Sequence, residues 1–188
     1  MSTVQKTDWL SPEDYLAGEL QSDTKHEYVA GYVYAMTGAS ETHNLITGNL
    51  HAALHGHLRG KPCRVFINDM KVRVADAFYY PDLMVCCNPA DNAPYFKTQP
   101  CLIIEVLSRS TQRADALEKR IAYQTLDSLQ EYVLVAQHKP DIRTYRRIAG
   151  GWEEELSGAD DTLRLLSVDL RLPVAEVYEN ITLSDETT

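Results

Sequence analysis

Cys101-Leu102-Ile103-Ile104-Glu105-Val106-Leu107 is an apolar run of strand length interrupted by a single carboxylate. Such a run reads as a strand buried on both faces, the kind found where helices cover a sheet. Glu105 inside it must be paired, protonated or bound to a cation, because an unpaired buried charge is strongly destabilising. An earlier apolar run, Leu83-Met84-Val85-Cys86-Cys87, is opened by Pro81-Asp82. If the two strands are neighbours, Asp82 and Glu105 converge on one divalent metal ion. The competing reading makes each a structural acid, satisfied by backbone donors or an arginine.

Outward from this pair, the punctuation of the chain alternates helices and strands. Ser11-Pro12-Glu13-Asp14 is a helix start, with a capping serine, a proline at the first helical position and acids at the positive end of the dipole, and a short helix follows to about Leu20. Glu27 to Met36 reads as a strand pair tightened at Ala30-Gly31. Leu45, Ile46, Leu50, Ala53 and Leu54 recur at helical spacing within a long helix from Thr42 to Leu58, ended by Gly60-Lys61-Pro62. Arg64 to Val74 and Tyr79 to Cys87 form a hairpin around Ala75 to Phe78, and pairing Val74 with Tyr79 sets Lys71 opposite Asp82 on one sheet face. After Glu105, Ser110 or Thr111 caps a helix to about Leu126, and Glu131 to Ala136 is a strand. Ile142 to Ile148 and Trp152 to Leu156 pair through Ala149-Gly150-Gly151, and the tail passes Leu172-Pro173-Val174 into a short helix ending near Asn180. The economical architecture is one α/β domain over residues 1–188, with its core over about 11–181 and a mixed β-sheet flanked by helices.

Composition narrows the function classes. A formal net charge of -9 excludes a protein that coats nucleic acid by bulk electrostatics. Cations nevertheless cluster at Arg109, Arg113, Lys119 and Arg120, and again at Lys139, Arg143, Arg146 and Arg147, which leaves room for a local basic groove or for merely solvated faces. No apolar stretch is long enough for a membrane helix and the first residues carry no signal-peptide core, so the expectation is a cytoplasmic protein without a membrane partner. Cys63, Cys86, Cys87 and Cys101 lack Cys-x-x-Cys spacing and read as reduced, buried thiols. His43, His51 and His55 recur at multiples of four in the long helix, but residue 52 is Ala, so His-Glu-x-x-His is not formed and a zinc hydrolase would need a third ligand the sequence does not show.

The order Glu27, Pro81-Asp82, Glu105-Val106-Leu107, then a helix bearing Lys119 and Tyr123, resembles the PD-(D/E)XK nuclease superfamily. More closely it is similar to the Uma two family of restriction-endonuclease-like proteins, formerly a domain of unknown function, over about Ser11 to Ile181. The marks are His26-Glu27-Tyr28, His43-Asn44, Tyr80-Pro81-Asp82-Leu83-Met84-Val85, Ile104-Glu105-Val106-Leu107-Ser108-Arg109-Ser110-Thr111, then Asp115, Lys119, Tyr123 and Glu131-Tyr132-Val133-Leu134-Val135.

The resemblance implies a restriction-endonuclease-like fold and Mg²⁺- or Mn²⁺-dependent hydrolysis of phosphodiesters, with Asp82 and Glu105 on the ion and Glu27 joining the metal site or its support. The superfamily's usual lysine lies two residues past the glutamate, where the period of a strand puts both side chains on one face, and here that position is Leu107. Lys119 is the replacement the resemblance favours, with Asp115 and Tyr123 four residues to either side on its helix face. Lys71 is the other candidate, and His43 at its helix start is a further neighbour. The expected partners are nucleic acid, DNA ahead of RNA, and a second copy of the chain in a dimer. Leu107 and the acidic charge keep a different class open, a catalytically inactive nuclease-fold interaction module.

Overall fold

The computed structural model describes residues 9–107 and 114–182, with the side chains of 114–116 outside the description. Ser11 caps α1 (Pro12–Glu19), its hydroxyl accepting the Asp14 N–H at 3.1 Å. Strands β1 (His26–Val29) and β2 (Tyr32–Ala35) pair through a tight turn in which Ala30 and Gly31 sit at φ 51° and 88°. Left-handed values at both turn positions match the right-handed twist of the strands they join. Ser40 caps α2 (Glu41–Leu58), whose Ile46, Leu50, Leu54 and Leu58 form one buried stripe.

Beyond α2 lie β3 (Arg64–Ile67), β4 (Lys71–Val74), β5 (Ala77–Tyr79), β6 (Leu83–Cys86), β7 (Phe96–Lys97) and β8 (Leu102–Leu107). Then come α3 (Ala114–Gln124), β9 (Glu131–Ala136), β10 (Asp141–Ile148), β11 (Gly151–Gly158), β12 (Thr162–Leu165), β13 (Leu170–Pro173) and α4 (Val174–Val177). A six-stranded sheet runs β11-β10-β9-β8-β6-β3, a five-stranded sheet β2-β1-β5-β4-β7, and β12 pairs with β13. The six-stranded sheet is mixed because β8 and β9 are parallel and α3 lies in their connection. The architecture is the expected α/β one, with helices on mixed sheets.

Strand alternation sorts the central residues into two layers. Leu83, Val85, Leu102, Ile104, Val106, Val133 and Val135 pack in one cluster with the α2 stripe, and Met84, Cys86, Ile103, Tyr132 and Leu134 pack in another with Tyr123 of α3. Glu105 therefore belongs to the α3 side of β8, as do Ile103 and Leu107.

Four readings of the sequence need correction. The arms read as one hairpin each divide: β3 pairs β6 in the large sheet, while β4 pairs β5 in the smaller one. The break falls at Asn68, with φ 55°, whose N–H donates to the Asp82 carbonyl at 2.9 Å, so Asp82 stands at the junction of the two sheets. The turn is also shorter than expected. Val74 pairs with Ala77 and Val72 with Tyr79, which shifts Lys71 away from Asp82 toward Tyr80. Cys63 and Cys87 form a disulfide, leaving Cys86 and Cys101 free, because the β3–β6 register of Arg64 against Cys86 sets Cys63 across from Cys87. Spacing along the chain carries no trace of that register. The β12–β13 hairpin went unread in the sequence. The helix cap expected at Ser110 or Thr111 lies outside the described residues. No helix among the described residues is long and apolar enough to cross a membrane.

Candidate active site

At the junction of the two sheets a cavity of about 580 Å³ is lined by Glu27, His43, Asp82, Glu105, Leu107 and Lys119, with the Lys25–Asp69 ion pair and polar side chains such as Asn44, Asn68 and Gln137 around it. Each acid reaches it from a different element. Glu27 comes from β1, Asp82 from the loop entering β6, and Glu105 from β8. Sheet pairing makes the last two neighbours: β6 and β8 are antiparallel with Leu83 opposite Ile104, and the Val106 N–H donates to Asp82 Oδ2 at 2.7 Å.

One oxygen of each carboxylate is tied down. Asp82 Oδ2 also meets His43 Nε2 at 3.2 Å, Glu105 Oε1 accepts the Tyr123 hydroxyl at 3.0 Å, and Glu27 Oε1 accepts the Tyr80 N–H at 3.1 Å. Lys119 Nζ donates to that same Glu27 oxygen at 2.7 Å and stands 3.9 Å from Glu105 Oε1. Among the described residues, the second oxygen of each acid accepts no hydrogen bond.

The electrostatics follow from burial. Glu105 is pushed up to about 8, chiefly because its carboxylate is desolvated; Asp82 and Glu27 add to the rise, while Lys119 and the Tyr123 hydroxyl oppose it. Burial alone would lower the His43 imidazole, but the Asp82 carboxylate overrides it and holds the ring above its ordinary value. A cation beside Glu105 would favour its ionised form and oppose the effect of burial.

The donors are hard oxygens, of the kind Mg²⁺ and Mn²⁺ take. Among the described residues no three His, Cys, Asp or Glu side chains are gathered as a ready metal cluster. The arrangement fits an ion held by few protein ligands, Asp82 and Glu105, with water completing the shell as Mg²⁺ prefers. His51 and His55 stack on each other at 5.6 Å and belong to no such cluster.

Of the residues singled out in the sequence, Glu27, His43, Asp82, Glu105 and Lys119 come together here, and Tyr123 supports Glu105 from beneath. The Asp115 side chain lies outside the described residues. Lys71 does not line the cavity; it is buried and donates to the Tyr80 hydroxyl at 3.0 Å. Missed altogether were the backbone donors of Tyr80 and Val106 and the carboxylate of Glu19, which accepts the Tyr80 hydroxyl at 2.9 Å. Backbone donors leave no mark in a sequence, and Glu19 lies 61 positions from Tyr80.

A family model described as "Uma2: Putative restriction endonuclease" matches residues 12–175. The chain belongs to the Uma2 family. This Uma2 chain is 36% identical over 176 residues to "Uncharacterized protein slr1290" of Synechocystis sp. (strain ATCC 27184 / PCC 6803 / Kazusa), covering 92% of this chain and 93% of that protein. It is 33% identical over 153 residues to "Uncharacterized protein sll1609" of the same organism, covering 79% and 86%. Its structure is similar to the crystal structure of "a putative nuclease belonging to DUF820" from Anabaena variabilis ATCC 29413, with TM-score 0.74 over 90% of this chain and 97% of that one. At 15% identity the likeness establishes a shared fold and no more.

Proposed function

We propose that this Uma2 protein is a metal-dependent endonuclease that hydrolyses phosphodiester bonds of nucleic acid, DNA in preference to RNA, with Mg²⁺ or Mn²⁺ as its ion. The observation that carries the reading is the convergence of Asp82, Glu105 and Lys119 on one cavity, the lysine 3.9 Å from Glu105 although position 107 is leucine. Asp82 and Glu105 would hold the ion, which when bound supplies a Lewis acid for the phosphoryl oxygen and a more acidic water. The chain's own part is positioning. The Val106 N–H and His43 orient Asp82, Tyr123 orients Glu105, and the Lys119 ammonium supplies a fixed positive charge where a phosphate gains negative charge. Leu107, half-buried beside Glu105, supports that side of the strand without contributing charge. A cytoplasmic homodimer belongs to the same reading, since cutting both strands of a duplex calls for two such sites.

The competing class is a nuclease-fold interaction module, favoured by Leu107 and the net charge of -9. Incubation with single-stranded DNA, duplex DNA and RNA, with Mg²⁺ or Mn²⁺ and with EDTA, separates the two. Cleavage that needs metal and disappears in Asp82→Ala and Glu105→Ala supports the enzyme. Intact substrates under every condition would leave the module.

A further inference from the structure

Glu27 is the third acid of the cavity, yet it is used differently from the other two. Its Oε1 takes two donors at once, the Tyr80 N–H at 3.1 Å and the Lys119 ammonium at 2.7 Å, and both members of the ion pair are only 12–13% exposed. Tyr80 in turn is locked behind the cavity wall. Its hydroxyl accepts from Lys71 Nζ at 3.0 Å and donates to Glu19 Oε1 at 2.9 Å, and the same Glu19 oxygen accepts the His26 N–H at 2.8 Å. Lys71 is 5% exposed and the Glu19 side chain likewise 5%. A buried cation and a buried anion bridged by a phenol are costly to assemble and rigid once satisfied. This chain of contacts fixes the backbone immediately before Pro81-Asp82, and its forward end is the N–H that holds Glu27.

We propose that Glu27 is the positioning residue of Lys119 rather than a metal ligand, and that the Glu19–Tyr80–Lys71 chain is the strut that holds Glu27 in place. The position two past Glu105 is Leu107, so no strand residue presents the ammonium; a lysine arriving on a helix has a long flexible stem and needs an anchor. Glu27 is that anchor. A purely structural strut would tie α1 to the sheet without touching the lysine, and this difference is measurable.

The inference rests on the nuclease reading for its meaning, but its test does not depend on activity. The metal-free full-length protein is acylated with sulfo-NHS-acetate, and modification of Lys119 is followed by mass spectrometry against the exposed Lys139 as reference. Glu27→Gln keeps an acceptor for the Tyr80 N–H but removes the negative charge that faces Lys119, and the rate at Lys119 rises about tenfold, the order set by losing a charge-assisted hydrogen bond. Glu105→Gln, removing a partner at 3.9 Å, gives a smaller rise. Tyr80→Phe, which deletes only the hydroxyl, moves Lys119 in the same direction as Glu27→Gln. A Glu27→Gln rate no greater than that of Glu105→Gln overturns the anchor, and a silent Tyr80→Phe overturns the strut. Mn²⁺ calorimetry adds a second readout: Glu27→Gln retains the wild-type affinity, and a loss as deep as that of Asp82→Ala makes Glu27 a ligand and overturns the proposal. Absence of Mn²⁺ heat in the wild type would refute the metal centre of the nuclease reading, while the acylation rates still decide the role of Glu27.

Discussion

Replacing Glu105 with glutamine separates the cost of burying its charge from the use the protein makes of it. The carboxyl rises from an ordinary 4.5 to about 8 in the folded chain, chiefly through desolvation. Because the folded state holds the proton more tightly, the unfolded state releases it first as pH rises. Stability is therefore full below about 4.5 and declines as pH climbs toward 8. At about 1.4 kcal/mol per unit this sets an upper bound of roughly 5 kcal/mol, and relaxation of Lys119 and entry of water bring the expected loss to about 1–3 kcal/mol. Glu105→Gln keeps an acceptor for the Tyr123 hydroxyl and does not titrate, so it lacks this decline. Urea unfolding of both proteins in EDTA between pH 5 and pH 9 measures it: the stability of wild type relative to the variant falls with pH. Saturating Mn²⁺ reverses the sign at the alkaline end for wild type alone, since the ionised carboxylate is the form that ligates, and binding at about 100 times the Kd contributes about 2.7 kcal/mol. A difference between the two proteins that stays flat from pH 5 to pH 9 without metal would show that Glu105 is not held protonated by burial.

Lys119→Ala lowers turnover by about 10² to 10³, the order for removing one electrostatic stabiliser of a transition state, while Mn²⁺ affinity by calorimetry does not fall, because an ammonium cannot ligate the ion. A loss of metal binding in that variant would instead make the lysine structural. Alkylation under denaturing, non-reducing conditions modifies Cys86 and Cys101 only, and prior reduction adds Cys63 and Cys87; four reactive thiols without reductant would remove the Cys63–Cys87 bond.

Local signals carried much of the fold because they act over a few residues. Ser11-Pro12 caps a helix by satisfying the nearest free N–H group, Ala30-Gly31 turns a hairpin, and the apolar run around Glu105 is a strand buried on both faces. The order of Glu27, Asp82, Glu105 and Lys119 likewise carries the resemblance to the nuclease superfamily.

Which residues carry charge into the core is written in the chain, since an acid inside an apolar strand is visible as a break in hydrophobic pattern. What each charge meets depends on how distant segments pack. The bend at Asn68 that brings Asp82 to the junction of two sheets, the register that sends Lys71 to Tyr80 and Cys63 to Cys87, and the helix crossover that brings Lys119 to Glu27 are pairings between distant segments. Such pairings are fixed by strand register and helix packing: a shift of one residue turns a strand side chain to the opposite face and swings a helical one by about 100°.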